Sequence, residues 1–424
     1  MNDVIKLYVR FAMVLTAIGV SGACAGCGDD DVAGTDGSLA DAGAVLDDAQ
    51  PPRDAGADAA NEDAAIAPDA GASDCTATRL LVTTSDYVTG GLGTTDLGLA
   101  AAMLAPGTAA DQDTTPHRLG CGAALLEHGL GNVRIQDRAS PLTTLRTINV
   151  NPAGMAFPYA SNPAAIVSLS DTRAYVVRLG VSSLAVIDPT RDGAAGLVGE
   201  VDLSALAATG DTDSVDATDA ILVGDRVFVA LGRYAFDAMF AVSFPEGSVL
   251  AVVDPAADTL VDADTTTAGM QGIALTGDNP RAGLYHDAVH GQLLVGDTGA
   301  YAMLDGGVEA VDLTTLRTTG FLLTETELGA DLDFFVASDA THAFVVAGGV
   351  LRAWNPETRT LGATLVASDV SAIGLAGDTL YVAARMGASA GIRAFRASDG
   401  IETTPASGPV GLGALPVYGL VAVP

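Results

Sequence analysis

Histidines are the residues of this chain best suited to metal binding or acid–base chemistry. There are five: His117, His128, His286, His290 and His342. His286 and His290 have the spacing that would bring two metal ligands to one face of a helix. The flanking residues are typical of strands, so we interpret this pair as part of a turn between two strands. His128 falls on a predicted strand and His342 in a hairpin turn, and the local sequence offers neither a partner.

Acidic residues alternate in one segment, DTDSVDATD, which contains Asp211, Asp213, Asp216 and Asp219. Such carboxylates could bind calcium, but the glycine at the sharp turn of an EF-hand loop is missing. We therefore interpret the segment as a solvated charge run. The motifs of serine hydrolases, zinc proteases and phosphate-binding loops are also absent from the sequence. We predict no catalytic residue, metal or cofactor from motifs, while a site dispersed along the chain stays open.

The elements that would position these residues are short strands that recur along the chain. Residues 162–189, NPAAIVSLSDTRAYVVRLGVSSLAVIDP, contain three β-rich runs separated by turn residues. The hairpin of the second and third strands recurs seven times, at 79–84 with 91–96, 124–128 with 132–137, 174–178 with 184–188, 227–231 with 249–254, 293–296 with 308–312, 343–347 with 350–355, and 380–384 with 392–397. A repeat of roughly 40 to 50 residues with four strands per unit predicts a β-propeller.

The two ends of the repeat region indicate how the ring closes. The region starts on a second-strand pattern at 79–82, with no first strand before it. It ends on an unpaired strand pattern at 415–423, which is similar to the first strands at 162–167 and 370–375. We therefore expect the C-terminal strand to complete the first blade, which would leave no free sheet edge around the ring.

This arrangement resembles the YVTN-repeat propellers, which are similar to bacterial surface-layer and YncE-like proteins. The resemblance covers residues 76–424 and is clearest at 162–189 and 343–356. It implies an all-β fold, a seven-bladed β-propeller of four-stranded antiparallel blades. It also implies that the loops between second and third strands lie on the face that opens the central channel, where ligands commonly bind.

The longest of these loops are predicted in the fourth blade, at 232–247, and in the fifth, at 297–307. The fourth-blade loop contains Arg233, Tyr234, Phe236, Asp237, Phe240 and Phe244. In a chain with 5% aromatic residues this composition favours a contact surface, so these six are the candidate binding residues. The spacing of Phe236, Phe240 and Phe244 equally fits a helical stripe that packs the loop on its own blade. Both interpretations stay open here.

The first 27 residues are typical of a secretory signal. A short segment with Lys6 and Arg10 precedes an apolar run at 11–20, and small residues follow. The sequence Ala-Gly-Cys ending at Cys27 resembles the lipobox of bacterial lipoproteins, although a cysteine stands where leucine is usual. That cysteine, Cys24, is the alternative acylation site, and an ordinary cleaved signal is the other alternative. We expect an exported lipoprotein anchored to a membrane of the bacterial cell envelope, in the periplasm or at the cell surface.

Residues 28–74 form a predicted linker, rich in Asp, Ala and Gly, with 13 acidic residues and one basic residue, Arg53. Small residues and like charges cannot bury enough apolar surface to offset the entropy of ordering, so we predict a disordered, extended tether. The whole chain carries a net charge of −32. This acidity excludes nucleic acid as a partner, because phosphate binding needs clusters of Lys and Arg.

Cys75 and Cys121 are the cysteines that remain after the signal. In an exported protein an even pair is usually a disulfide, and this one would fasten the start of the propeller domain, residues 75–424, to its second blade. A metal-binding or redox pair is the alternative, although the Cys-x-x-Cys spacing of such pairs is absent.

These observations favour a binding or scaffold module for a protein or polymer partner at the cell envelope. A propeller enzyme, such as a lyase, lactonase or quinoprotein-like oxidoreductase, is the alternative, and it would place His, Arg or acidic side chains together at the channel mouth. A surface-layer structural protein is the third possibility and predicts self-association. The ligand and the oligomeric state are not set by the sequence.

Overall fold

The computed structural model describes residues 75–105, 110–154, 161–209, 214–236, 242–386 and 390–424. The predicted signal peptide with Cys24 and Cys27, and the predicted linker, lie outside these residues. Within them the chain forms thirty β-strands, one short α-helix, α1 (Glu325–Leu328), and two 3₁₀ turns, Gly193–Ala195 and Ser204–Leu206. No helix in this described part is long and apolar enough to cross a membrane.

The first eleven strands are β1 (Arg79–Ser85), β2 (Gly90–Asp96), β3 (Ala102–Leu104), β4 (Thr114–Leu119), β5 (Gly122–Glu127), β6 (Asn132–Gln136), β7 (Thr144–Asn149), β8 (Pro163–Ser170), β9 (Arg173–Arg178), β10 (Ser183–Ile187) and β11 (Leu197–Asp202). The next eleven are β12 (Ala217–Val223), β13 (Arg226–Leu231), β14 (Ala235–Phe236), β15 (Val242–Ser243), β16 (Val249–Asp254), β17 (Thr259–Val261), β18 (Ile273–Ala274), β19 (Pro280–Asp287), β20 (Gln292–Asp297), β21 (Gly307–Asp312) and β22 (Arg317–Thr324). The last eight are β23 (Leu332–Ala337), β24 (Ala343–Ala347), β25 (Val350–Asn355), β26 (Thr360–Val366), β27 (Val370–Ala376), β28 (Thr379–Ala384), β29 (Gly391–Arg396) and β30 (Val417–Val423).

These strands form seven antiparallel blades, which confirms the predicted fold class. Listed from the inner strand outward, blades 2 to 6 are β4-β5-β6-β7, β8-β9-β10-β11, β12-β13-β16-β17, β19-β20-β21-β22 and β23-β24-β25-β26. Blade 7 has β27-β28-β29, and isolated bridges from Ile392 to Val410 and from Phe395 to Glu402 take the place of its outer strand. In blade 4, β18 also pairs with β16. The loop between β13 and β16 contains β14 and β15, which form a separate two-stranded ribbon.

Blade 1 joins the two ends of the described chain, as the sequence predicts. Its order is β30-β1-β2-β3, so the C-terminal strand is its inner strand. β30 pairs antiparallel with β1 from Arg79 opposite Val423 to Thr83 opposite Gly419. The inner strands then contact one another around the ring in the order β30, β4, β8, β12, β19, β23, β27 and back to β30. Every inner strand therefore has a neighbouring blade on each side.

Apolar side chains fill the spaces between blades. Between blades 5 and 6, for example, Tyr285, Phe335 and Trp354 belong to one buried cluster. Each buried side chain of this size contributes on the order of 1.5–3 kcal/mol. Hydroxyls add hydrogen bonds across the seams: Thr298 donates to the Leu332 carbonyl at 2.8 Å, and Ser371 donates to the Val417 carbonyl at 2.9 Å. The hydroxyl partners satisfy carbonyls at the strand ends, where the sheet ladder stops.

The meander gives the ring two distinct faces. Because four antiparallel strands alternate in direction, every inner strand begins on the same face, here called the upper face. That face also carries the loops between second and third strands. The opposite, lower face carries the turns between first and second strands and between third and fourth strands. The described chain enters on the lower face, just before β1.

A disulfide fastens this entry point and confirms the predicted pairing. Cys75 is bonded to Cys121, which lies in the turn between β4 and β5 of blade 2, with the two Cα atoms 5.5 Å apart. The two cysteines are 46 residues apart in the sequence, so the bond closes a loop of that length. Cys75, the first described residue, therefore lies at the lower face.

Candidate functional site

The upper face brings several ionisable and aromatic side chains together where blades 7, 1, 2 and 3 meet. We call this set the mouth cluster, and its members are Tyr87, Asp113, Thr115, His117, His128, Asn162, Arg385 and Tyr418. The loops of blades 1, 2 and 7 supply Tyr87, His128 and Arg385. The others lie on an inner strand or just before one.

Two histidines share one hydroxyl in this cluster. Thr115 Oγ1 lies 2.8 Å from His117 Nε2 and 2.9 Å from His128 Nε2. Thr115 and His117 are two residues apart on β4, so their side chains point to the same face of the sheet. A hydroxyl has one proton to donate, so Thr115 can donate to only one ring and must accept from the other. The three groups therefore form a chain along which a proton can be relayed.

His128 is fixed at both ring nitrogens. Its Nδ1 lies 3.0 Å from Oδ1 of Asn162, and Asn162 precedes the inner strand of blade 3. Burial lowers the pKa of His128 below its ordinary value, although the nearby Asp113 carboxylate opposes this shift. A neutral imidazole with fixed nitrogens is suited to act as a hydrogen-bond acceptor or a general base.

Tyr418 and Asp113 link the histidines to blade 1. The Tyr418 hydroxyl donates to Asp113 Oδ1 at 2.8 Å, and the backbone N–H of His128 donates to the Asp113 carbonyl at 3.1 Å. Burial and the Asp113 charge raise the pKa of the neighbouring Asp111. The connection into β4 thus carries two carboxylates at the channel mouth, one of them held by a tyrosine.

Arg385 lies against two tyrosine rings at the edge of the cluster. Its guanidinium carbon is 4.8 Å from the Tyr87 ring centre and 5.6 Å from the Tyr418 ring centre, and Nη1 donates to the Tyr87 hydroxyl. The two rings meet edge to face at 5.9 Å. Cation–π contacts and the hydrogen bond hold the guanidinium in place. Among the described residues, Arg385 Nε has no hydrogen-bond partner and no carboxylate lies within 4 Å of the group.

Exposed apolar side chains flank the arginine. Val88 is 62% exposed beside Tyr87, and Met386 is 64% exposed beside Arg385. Both residues lie at the tips of loops on the upper face. Tyrosine, arginine and methionine around a small apolar patch are typical of protein–protein interfaces and of their energetic hot spots.

The loop of blade 4, predicted as the binding loop, packs inward where it is described. Tyr234 is 7% exposed, donates its hydroxyl to Asn279 Oδ1 at 2.6 Å and meets the Phe244 ring at 5.5 Å. Arg233 forms an ion pair with Glu246. The described backbone pairs Phe236 with Val242 in an antiparallel ribbon, so Phe236 lies on a strand and not on a helix. Asp237 and Phe240 lie outside the described residues.

The upper face of blades 5 and 6 is acidic, and several carboxyls there have raised pKa values. Burial raises the pKa of Glu325 to about 7 and that of Asp333 to about 6. Burial and the neighbouring Glu309 raise the pKa of Asp297 well above its usual range. Arg281 of β19 donates to the Tyr301 hydroxyl at 2.6 Å. No metal-binding group of His, Cys, Asp or Glu side chains occurs in the described part of the chain.

Three interpretations of polar residues need correction. Asp216 and Asp219 are 4% and 6% exposed, so they are not a solvated charge run; Asp216 accepts from the Tyr234 N–H at 2.8 Å. Asp211 and Asp213 lie outside the described residues. His342, predicted without a local partner, lies 2.9 Å from Asp339. His128, predicted on a strand, lies in the loop that follows β5. His286 lies on β19 and His290 in the following turn, where it contacts Asp287 at 2.6 Å.

The comparisons with known proteins add no functional information. No protein-family model matches the chain, and no curated protein matches its sequence. It is similar in structure to the dihydro-heme d1 dehydrogenase NirN in complex with DHE, with 12% identity, a TM-score of 0.47, and coverage of 81% of this chain and 66% of that one. It is also similar to apo AztD from Citrobacter koseri, with 13% identity, a TM-score of 0.45, and coverage of 82% of this chain and 98% of that one. The hydrazine synthase of Kuenenia stuttgartiensis is similar with 14% identity and a TM-score of 0.45, and the match covers 67% of this chain and 76% of that one. The fold assignment rests on the strand pairing described above.

Proposed function

We propose that this protein is a lipid-anchored module of the bacterial cell envelope that binds a protein partner on its upper face. The observation that carries the proposal is Arg385, which is held against two tyrosine rings and has no carboxylate within 4 Å among the described residues. Exposed Val88 and Met386 stand beside it. The partner would present a carboxylate to Arg385 and apolar side chains to its neighbours, because a guanidinium binds carboxylates in a planar, two-pronged geometry.

The arrangement of the chain suits such a role. The tether joins the ring at Cys75 on the lower face, opposite the mouth cluster. A lipid at Cys27, or at Cys24 as the alternative, would anchor the protein, and residues 28–74 could reach roughly 150 Å when extended. The upper face would then be free to meet a partner away from the membrane. No cofactor is required for this function.

A comparison of variants in cells tests the proposal. The full chain, its Arg385→Gln variant and its Arg359→Gln variant are expressed with the same tag, cross-linked and purified, and bound proteins are quantified. Arg359 is an exposed arginine on the far edge of blade 6, so Arg359→Gln is the matched charge control. We expect one envelope protein to fall at least about tenfold with Arg385→Gln only. Equal recovery with all three chains would contradict the proposal.

A second candidate function, a propeller enzyme, is favoured by the shared hydroxyl of His117 and His128. In this case His128 would act as the general base and Arg385 would bind a substrate anion. Lactone hydrolysis is a suitable assay, with His342→Gln as the control for His128→Gln. Hydrolysis lost only in His128→Gln would support the enzyme, and a rate equal to the uncatalysed reaction would rule out lactone hydrolysis.

A further inference from the structure

The lower face carries a cleft of about 330 Å³ between the turns of blades 2 and 3. It lies next to the disulfide, because Cys121 forms part of its wall. Leu119, Ile135 and Leu145 supply apolar lining, and Gln136, Ser168 and Ser170 supply polar lining. Its volume is at the lower end of the range of small-molecule sites, and its wall mixes apolar with polar and charged side chains.

Two arginines at this cleft have no acidic partner. Arg138 and Arg146 both line it, and no carboxylate of the described residues lies within 4 Å of either guanidinium. The Arg138 side chain makes one weak contact, from Nη2 to Cys75 Sγ at 3.9 Å. In contrast, Arg134 on the same blade contacts Glu127 at 3.0 Å. In a chain with a net charge of −32, two arginines without acidic partners that line the same cleft are a local exception that favours an anionic ligand.

A third polar group in the wall also lacks a partner. The hydroxyl of Ser168 is buried and finds no hydrogen bond among the described residues. An unsatisfied buried hydroxyl costs free energy unless a bound molecule or water supplies the missing partner. Ser168 stands on β8 of blade 3, across the cleft from the turn that carries Arg138. The hydroxyl itself has almost no exposed surface, so a ligand between the two blades would reach the guanidinium of Arg138 and not this hydroxyl.

The acidic residues of the cleft restrict the charge of that ligand. The Asp137 carboxylate already accepts a hydrogen bond of 2.9 Å from the Ala139 N–H within its own turn. Asp171 is exposed at the edge and would repel a dianion more strongly than a monoanion. We propose that this cleft binds a small organic monocarboxylate, with the carboxylate on Arg138 and Arg146 and the apolar part against Leu119, Ile135 and Leu145. The site is separate from the mouth cluster on the upper face.

Calorimetric titration of the full chain, purified in a neutral detergent, tests the site. Hexanoate and benzoate are the probes, and hexanol and inorganic phosphate are the comparison ligands, all at constant ionic strength. We expect saturable binding of at least one carboxylate and at least tenfold weaker binding of hexanol and phosphate. Arg138→Gln and Arg146→Gln should each weaken carboxylate binding at least tenfold, and Arg359→Gln should leave it unchanged.

Ser168→Ala separates binding from a structural role. Because the hydroxyl is unsatisfied and has almost no exposed surface, this variant should melt at the same or a higher temperature and bind the carboxylate as the wild type does. Absence of saturable binding by both carboxylates in the wild-type protein would overturn the proposal. So would equal binding of phosphate, which would make the cleft a general anion site, or equal losses in Arg359→Gln.

Discussion

The Tyr418 hydroxyl donates a 2.8 Å hydrogen bond to the Asp113 carboxylate across 305 residues of sequence. Tyr418 belongs to the C-terminal strand that completes blade 1, and Asp113 precedes the inner strand of blade 2. The same tyrosine ring supports Arg385 of blade 7. One side chain on the closing strand therefore connects three neighbouring blades, so ring closure and the mouth cluster depend on the same segment.

Deletion of residues 415–424 should prevent stable folding. Without β30, β1 would expose an unpaired edge, and buried side chains such as Leu420 and Val421 would be lost from the seams. We expect no cooperative melting transition by circular dichroism, together with aggregation. Deletion of Pro424 alone, which lies after the strand, is the control and should melt like the wild type. A wild-type melting curve for the longer deletion would refute closure by β30.

Loss of the disulfide should destabilise the ring without changing its fold. For a loop of this size the chain-entropy estimate is about 4 kcal/mol in the free energy of unfolding. The Cys75→Ser, Cys121→Ser double variant, measured by chemical denaturation, should show this loss. The reduced wild-type protein should behave in the same way as the variant. A difference below about 1 kcal/mol would mean that the bond does not constrain the unfolded chain.

Glu325 should make stability fall as the pH rises from about 4.5 to 7. Burial, with the charges of Asp331 and Asp305, raises its pKa to about 7 in the folded protein, against 4.5 when unfolded. In this interval the folded state keeps a proton that the unfolded state has lost, so deprotonation disfavours folding. The shift corresponds to about 3 kcal/mol. Urea denaturation of the wild type and Glu325→Gln over this pH range measures it.

The variant cannot titrate at residue 325, so its free energy of unfolding should lack this part of the pH dependence. If the free energy of unfolding rose over this pH interval in the wild type and not in the variant, Glu325 would be charged in the folded protein well below pH 7. That result would contradict the raised pKa.

His128 should titrate below its ordinary pKa of 6.5, because its burial disfavours the charged ring. The Asp113 carboxylate opposes this effect, so Asp113→Asn should lower the midpoint further. NMR titration of the ring protons measures both midpoints, and His128→Gln identifies the signal. A midpoint above 6.5, or one raised by Asp113→Asn, would contradict the described environment of His128.

The repeat made the fold predictable, because short β-rich runs bounded by turn residues recur along the chain, and Asp-Pro or Asp-Leu ends the third strand in four of the seven blades. The hairpin from Ala174 to Ile187 and the closing strand lie where the sequence places them. The disulfide was predictable from the even number of cysteines that follow the predicted signal. In contrast, the sequence did not identify the ribbon of β14 and β15 or the short helix α1. That helix begins at a capping box of Thr324 and Glu327.

The mouth cluster could not be predicted because its members are far apart in sequence. Tyr87, His128 and Arg385 come from three different blades, and only the ring geometry joins them. The loop around Tyr234 had the stronger compositional signal, but its tyrosine and Phe244 pack on each other. One signal was available: Tyr87 and Arg385 both lie in loops between second and third strands, the position that the repeat assigns to the channel face.

Site-specific photo-cross-linking in cells tests the central claim most directly. A benzophenone amino acid is placed at Val88 on the upper face or, as a matched control, at Val289, a 77% exposed valine on the lower face. The account predicts a discrete cross-linked partner from Val88 that disappears with Arg385→Gln and persists with Arg359→Gln. A cross-link from Val289 alone, or one from Val88 that is indifferent to Arg385→Gln, would contradict binding through Arg385 on the upper face.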